Sequence, residues 1–276
     1  MPTTGNGDVS LYFETFGADE APVLLLVNGL GSQCINFKDE LCARFAAQGF
    51  RVVRFDNRDV GLSSHLKGGP KYTVDDMADD GFAVLDAVGA RTAHLAGWSM
   101  GGMIVQAMAI RHPERVLSMT SVMSAPGAIP GERDPDVIAA FSAPPATTRD
   151  EAAERHLRGL RAWGSPASYD VERITADAHA AYDRCWDPEG RGRQAMAIGA
   201  SPSRIEALGS LKVPTLVVHG DADRLVPLDA GRATADAIPG ARLEIVEGMG
   251  HDYPPEHWDR MVELITTHAG SAAASS

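Results

Sequence analysis

The sequence predicts an α/β architecture: a mostly parallel central sheet flanked by helices, with a helical cap (lid) inserted in it. Three observations carry this. Apolar runs of strand length alternate with helical patterns along most of the chain, the order that joins parallel strands through right-handed crossovers. Several runs are apolar at consecutive positions, as strands buried on both faces must be. The alternation stops over residues 125–211 and then resumes.

Residues 9–15 alternate with period two and suit an antiparallel edge strand with one solvated face. Residues 23–27, 52–55, 93–96, 117–122, 215–218 and 243–246 read as buried strands. Helices are expected near 37–47, 74–88, 100–111, 229–237 and 256–267. The stretch 125–211 holds no convincing strand, is rich in Ala, Arg, Asp and Pro, and shows helical patterns near 150–163, 171–186 and 190–200. It is too long for one crossover. It reads as a lid over the sheet, although the same helices would also fit against a sheet face. The expected division is a core of 1–124 and 212–276 with the lid, 125–211, between its halves. The tail, 270–276, is low in complexity and expected to fray.

Composition narrows the function. A net charge of −12 lacks the electrostatic footprint of a nucleic-acid binder. No run approaches the roughly 18 apolar residues of a membrane span. The start, Met1-Pro2-Thr3-Thr4-Gly5, has neither the basic nor the apolar segment of a signal peptide, so a cytoplasmic location is expected. Cys34, Cys42 and Cys185 are odd in number and lack metal-ligand spacing, which points to free thiols. No metal or other cofactor is implied, and monomer and homodimer both stay open.

The most informative motif is Gly97-Trp98-Ser99-Met100-Gly101, between a strand and a helix. A Gly-x-Ser-x-Gly there makes a turn so sharp that its flanking residues must lack side chains, and it thrusts the serine hydroxyl out of the sheet. The helix behind it aims free N–H groups at the same point. A serine hydroxyl needs a base, and the base needs an orienting acid. His251, in the loop after 243–246, is the candidate base; His219, at a strand end, reads as structural, and His257 as solvated. Asp221 and Asp223 leave the sheet one strand earlier and are both candidate acids, with turn or capping roles as the alternative. Two backbone donors are needed for an oxyanion: the N–H of Met100 and one from the turn Asn28-Gly29-Leu30-Gly31. In Asp56-Asn57-Arg58-Asp59, Arg58 is expected to pair with Asp56 or Asp59 and stiffen the floor of the site.

Glycine turn, polar loop, elbow serine, lid, Asp and His in that order resemble the α/β-hydrolase fold family over nearly the whole chain. The resemblance implies Ser99 as nucleophile, His251 as base and Asp223 as acid. Asp223 is preferred because it matches the family's Gly-x-x-Asp-x-x-x-Pro element, here Gly220 to Pro227. Leu30 and Met100 would supply the oxyanion N–H groups. Two departures stand out. Asn28 replaces the family's usual His before Gly29, and its carboxamide is expected to bond the loop instead. Asp59 occupies a glycine position of the Asp-x-Arg-Gly-x-Gly-x-Ser element, which looks like the aclacinomycin methylesterase branch. A serine at 99 is unlike the relatives with an Asp nucleophile, the haloalkane dehalogenases and most epoxide hydrolases.

The implied function is hydrolysis of a small-molecule carboxylic ester or lactone through an acyl-enzyme. Trp98, Trp163, Tyr169, Tyr182, Trp186 and Met196 are candidate pocket walls, suited to a bulky apolar, natural-product-like substrate. The same triad would also serve acyl transfer, perhydrolysis or C–C bond hydrolysis, and the fold can host slow or non-catalytic ligand receptors.

Overall fold

The computed structural model describes residues 2–68, 71–127 and 134–273. Its eight strands are β1 (Thr3–Asn6), β2 (Val9–Phe16), β3 (Val23–Val27), β4 (Arg51–Phe55), β5 (Ala93–Trp98), β6 (Val116–Val122), β7 (Thr215–Gly220) and β8 (Arg242–Val246). They form one sheet in the order β1-β2-β4-β3-β5-β6-β7-β8. The pairs β1/β2 and β2/β4 are antiparallel and the rest parallel. The helices are α1 (Asp39–Ala47), α2 (Val74–Ala87), α3 (Met100–Arg111), α4 (Pro135–Phe141), α5 (Arg149–Trp163), α6 (Val171–Arg184), α7 (Gly190–Ala200), α8 (Ile205–Leu208), α9 (Leu228–Ala237) and α10 (Trp258–Ala273).

Strand β3 is apolar at every position because it feeds two cores. Val23, Leu25 and Val27 of β3 join residues of α2, α3 and α9 on one face. Leu24 and Leu26 turn the other way, onto α1 and α10. Period-two side-chain alternation on a doubly covered strand requires this.

Three expectations need correction. Strand 9–15 is not the edge: β1 lies outside it, joined through a tight turn in which Gly7 has φ +58°. The dipeptide Gly7-Asp8, between the paired residues Asn6 and Val9, carried that hairpin signal. The strand expected at 243–246 is an edge, so Ile245 stays 44% exposed instead of buried. Gly270 to Ala273 continue α10, where Ala269 and Ala272 are buried, so the tail is ordered to that point. Residues 274–276 lie outside the described residues.

His94 on β5 is 3% exposed, bonds Ser118 Oγ through Nδ1 at 2.8 Å, and meets the edge of Phe50. Burial lowers its pKa from the ordinary 6.5 to about 4. Below pH 6.5 the unfolded chain therefore takes a proton that the folded chain refuses. Stability falls as pH drops from 6.5 toward 4, by on the order of 3 kcal/mol from this group. His219, also lowered by burial, adds in the same direction. His94→Gln should show a smaller loss of urea midpoint between pH 7 and 4 than the wild type; equal slopes would remove His94 as a cause.

Candidate active site

The site stands where β3, β5, β7 and β8 end. Ser99 links β5 to α3 with φ 56° and ψ −117°, the left-handed strain of a nucleophile elbow. The flanking glycines have no alternative. A Cβ on Gly97 would lie 2.1 Å from Gly101 O, and one on Gly101 would lie 2.0 Å from Val27 O. Both obstacles are backbone, so neither can swing aside. Gly101→Ala is expected to cost about 3 kcal/mol or more, read as the fall in urea midpoint; a wild-type midpoint would refute the packing described.

His251 Nε2 stands 2.9 Å from Ser99 Oγ, and His251 Nδ1 stands 2.7 Å from Asp223 Oδ2. A carboxylate only accepts, so Nδ1 carries the proton and Nε2 is left to accept from the serine. Asp223 has a fully buried side chain, and its Oδ1 accepts from the N–H groups of Leu225 and Val226 at 2.9 and 2.8 Å. Asp221 is employed elsewhere: it accepts from Gly248 N–H at 2.7 Å and fastens the loop after β8. His219 is buried, donates from Nε2 to Val226 O at 2.8 Å, and stands 3.6 Å from Asp223.

The turn after β3 lies directly against the serine. A Cβ on Gly29 would be 3.2 Å from Ser99 Cβ and 3.8 Å from Ser99 Oγ. Among the described residues, neither the Leu30 nor the Met100 N–H has an acceptor, and Met100 is the first residue of α3. Asn28 bonds the loop as its carboxamide allows: Nδ2 donates to Gln33 O at 3.0 Å. Its Oδ1 accepts from Tyr253 Oη at 3.1 Å, tying the serine's glycine turn to the histidine loop.

The expected Arg58 pairing is not what forms. Asp59 sits at φ +71°, and Arg58 turns instead to Asp80 of α2 through bonds of 2.6 and 2.8 Å. Asp56 and Asp59 face the helices between β6 and β7: Arg184 is 2.8 Å from Asp56 and Arg193 is 2.8 Å from Asp59. Arg193 also bonds Asp187, whose carboxyl burial raises but whose bonds from His65 and Arg193 hold at about 2. The thiols of Cys34 and Cys42 are no alternative nucleophiles. Burial pushes Cys42 up to about 12 and Cys34 higher still.

Those intervening helices grip the site at two ends. The His251 N–H donates to Trp163 O at 2.6 Å. Ser165 N–H and Oγ donate to Asp252, and Gly250 N–H donates to Ser165 Oγ. Burial raises the Asp252 carboxyl, against the pull of the Ser165 bonds. At the other end Gln33 Nε2 donates to Ala181 O and Cys185 O, and Gln194 bonds Gly31. Short-range pattern reading missed Tyr253, Ser165, Asp252 and Gln194; only Tyr253 and Asp252, in the histidine loop, carried a positional hint.

Of the six aromatic and thioether candidates, Trp163 comes to His251 through its carbonyl, with its ring against Phe141. Trp98 is buried below the elbow against Phe37 and Tyr253. Tyr169 bonds Leu157 O and lies under Arg161. Tyr182 and Trp186 stack on each other and bond the carbonyls of Thr147 and Ala146, and Met196 is 60% exposed. For these last four, the contacts run within the helical segment or face solvent.

Comparison with known proteins meets this geometry. A family model described as alpha/beta hydrolase fold matches residues 22–257. Rhodomycin D methylesterases from Streptomyces sp. (strain C5) and Streptomyces peucetius are each 30% identical, over 99% of this chain and 99% of theirs. The resemblance to the methylesterase branch is thereby borne out. Among solved structures, the enol-lactonase from Burkholderia xenovorans LB400 is 25% identical with a TM-score of 0.79, covering 97% of this chain and 99% of that one. No helix among the described residues is long and apolar enough to cross a membrane. With the elbow, the sheet order and a match spanning most of its length, the chain belongs to the alpha/beta hydrolase fold family.

Proposed function

We propose a serine hydrolase that needs no cofactor and cleaves a carboxylic ester or lactone of a bulky, largely apolar small molecule, a methyl ester being the favoured substrate. The single observation that supports it most is the unbroken line Asp223–His251–Ser99, at 2.7 and 2.9 Å, with Gly29 against the serine. Relatives named for methyl ester and enol-lactone cleavage support the substrate class.

In this reading Ser99 Oγ attacks the carbonyl carbon while His251 Nε2 takes its proton. Asp223 holds the imidazole in the tautomer that can accept and stabilises the imidazolium that forms. The Leu30 and Met100 N–H groups receive the oxyanion, preorganised before charge develops. His251 then protonates the leaving alcohol, and water repeats the sequence on the acyl-enzyme. Residues 125–211 act as the lid, tied to the histidine loop where the His251 N–H donates to Trp163 O. A p-nitrophenyl ester panel, with and without peroxide or an alcohol acceptor, tests the reaction type. Hydrolysis to free acid in every mixture is expected; transfer to the added acceptor would replace hydrolysis as the reading, and no turnover with no fluorophosphonate labelling of Ser99 would favour a receptor.

A further inference from the structure

Residues Gly29 to Ser32 form a β-turn closed by Ser32 N–H donating to Gly29 O at 3.2 Å. Of its two central residues only Gly31 has positive φ, +73°, which marks a type II turn. Types I and II differ by a flip of the central peptide, here Leu30–Gly31, and glycine at the third position permits either. Leu30 carries the N–H assigned to the oxyanion. Its neighbouring peptide therefore has two available orientations, and the turn's own hydrogen bond does not choose between them.

Helix α7 does. Gln194 Oε1 accepts from Gly31 N–H at 2.8 Å, while Gln194 Nε2 donates to Arg58 O at 2.8 Å. The side chain is fully buried. Its anchor is firm, because Arg58 is itself clamped to Asp80. One helical turn earlier, Arg191 lays its alkyl stem over Gly31: a Cβ there would lie 3.1–3.3 Å from Arg191 Cβ, Cγ and Cδ. Its guanidinium continues over the Phe141 ring at 4.2 Å.

We propose that Gln194 is a positioning residue: by holding the Gly31 N–H it fixes the turn that carries the Leu30 N–H, so that docking of α7 sets the oxyanion geometry. Gln194 touches neither substrate nor reacting atoms. The proposal rests on the hydrolase reading above, in which Leu30 N–H is an oxyanion donor. A donor matters to the transition state more than to the bound ester, so a loosened turn lowers kcat and leaves KM nearly unchanged.

The test uses the full chain with p-nitrophenyl butyrate as substrate and a fluorophosphonate as probe of Ser99. Gln194→Met removes both hydrogen bonds at similar volume. It should lower kcat about 10- to 100-fold, the scale of a misplaced catalytic geometry, with KM within about 2-fold. The rate of phosphonylation should fall by the same factor. Gln194→Glu, which keeps an acceptor for Gly31 N–H, should retain more of kcat than the Met variant. Should Gln194→Met not fold, Gln194→Asn, one methylene short of Gly31, must show the same split. Wild-type kcat and phosphonylation in the folded variants, or a change in KM alone, would overturn the proposal. A wild-type protein whose Ser99 the fluorophosphonate does not label would overturn the hydrolase reading instead.

Discussion

Ser99→Ala should fold like the wild type and lose ester hydrolysis by on the order of 10⁶-fold in kcat, the scale seen when a triad nucleophile is removed. The argument is geometric. Ser99 Oγ is the group that His251 Nε2 addresses at 2.9 Å, and it is displayed at φ 56° by a turn whose glycines are packed against backbone. No neighbour can take over. The Ser124 hydroxyl is engaged, donating to Ser99 O at 2.7 Å. The buried Cys34 and Cys42 thiols are held protonated at neutral pH. Alanine keeps the small side chain that the elbow tolerates, so circular dichroism and urea midpoint should be close to wild type. Steady-state hydrolysis of p-nitrophenyl butyrate, with mass spectrometry of the fluorophosphonate adduct, reads the outcome. A Ser99→Ala protein keeping more than about a hundredth of wild-type kcat would end the assignment of Ser99 as nucleophile.

The parts of this site that were legible in the sequence are those made by local rules. A strand buried on both faces is mostly apolar, so β3 declared itself by five apolar residues in a row, and β5 and β7 by short apolar runs around His94 and before His219. An elbow needs glycines at fixed offsets, and Gly97 and Gly101 are where backbone would otherwise be struck. Asp223 was separable from Asp221 only through its place in a family element. The structure adds the physical difference, since Asp221 is spent on Gly248 and Asp223 points to His251. What stayed hidden was partner choice across long sequence separations. Arg58 had two carboxylates beside it and took Asp80, 22 residues away. Asp56 and Asp59 were left for Arg184 and Arg193, on helices whose docking no local pattern encodes. Gln194 gave no signal, because a lone glutamine on a helix has no periodicity of its own.

Asp223→Asn should lower kcat about 10⁴-fold while leaving the fold intact. The amide oxygen can still accept from the Leu225 and Val226 N–H groups that Oδ1 now serves at 2.9 and 2.8 Å. The amide nitrogen is then turned to His251 Nδ1, where the carboxylate oxygen stood 2.7 Å away. A donor facing Nδ1 makes that nitrogen the acceptor and moves the imidazole proton to Nε2. Nε2–H cannot take the proton of Ser99, and the imidazolium loses its counter-charge as well. His219 does not rescue this arrangement, because it is committed to Val226 O at 2.8 Å. Asp221→Asn is the matched control: it accepts one N–H, from Gly248, and an amide oxygen does that equally well. It should stay within about 2-fold of wild-type kcat, since it exchanges one acceptor for another. Steady-state kinetics on the two variants, alongside their urea midpoints, separates them. An Asp223→Asn enzyme retaining a tenth of wild-type kcat, or an Asp221→Asn enzyme falling as far as it does, would mean that the acid lies elsewhere.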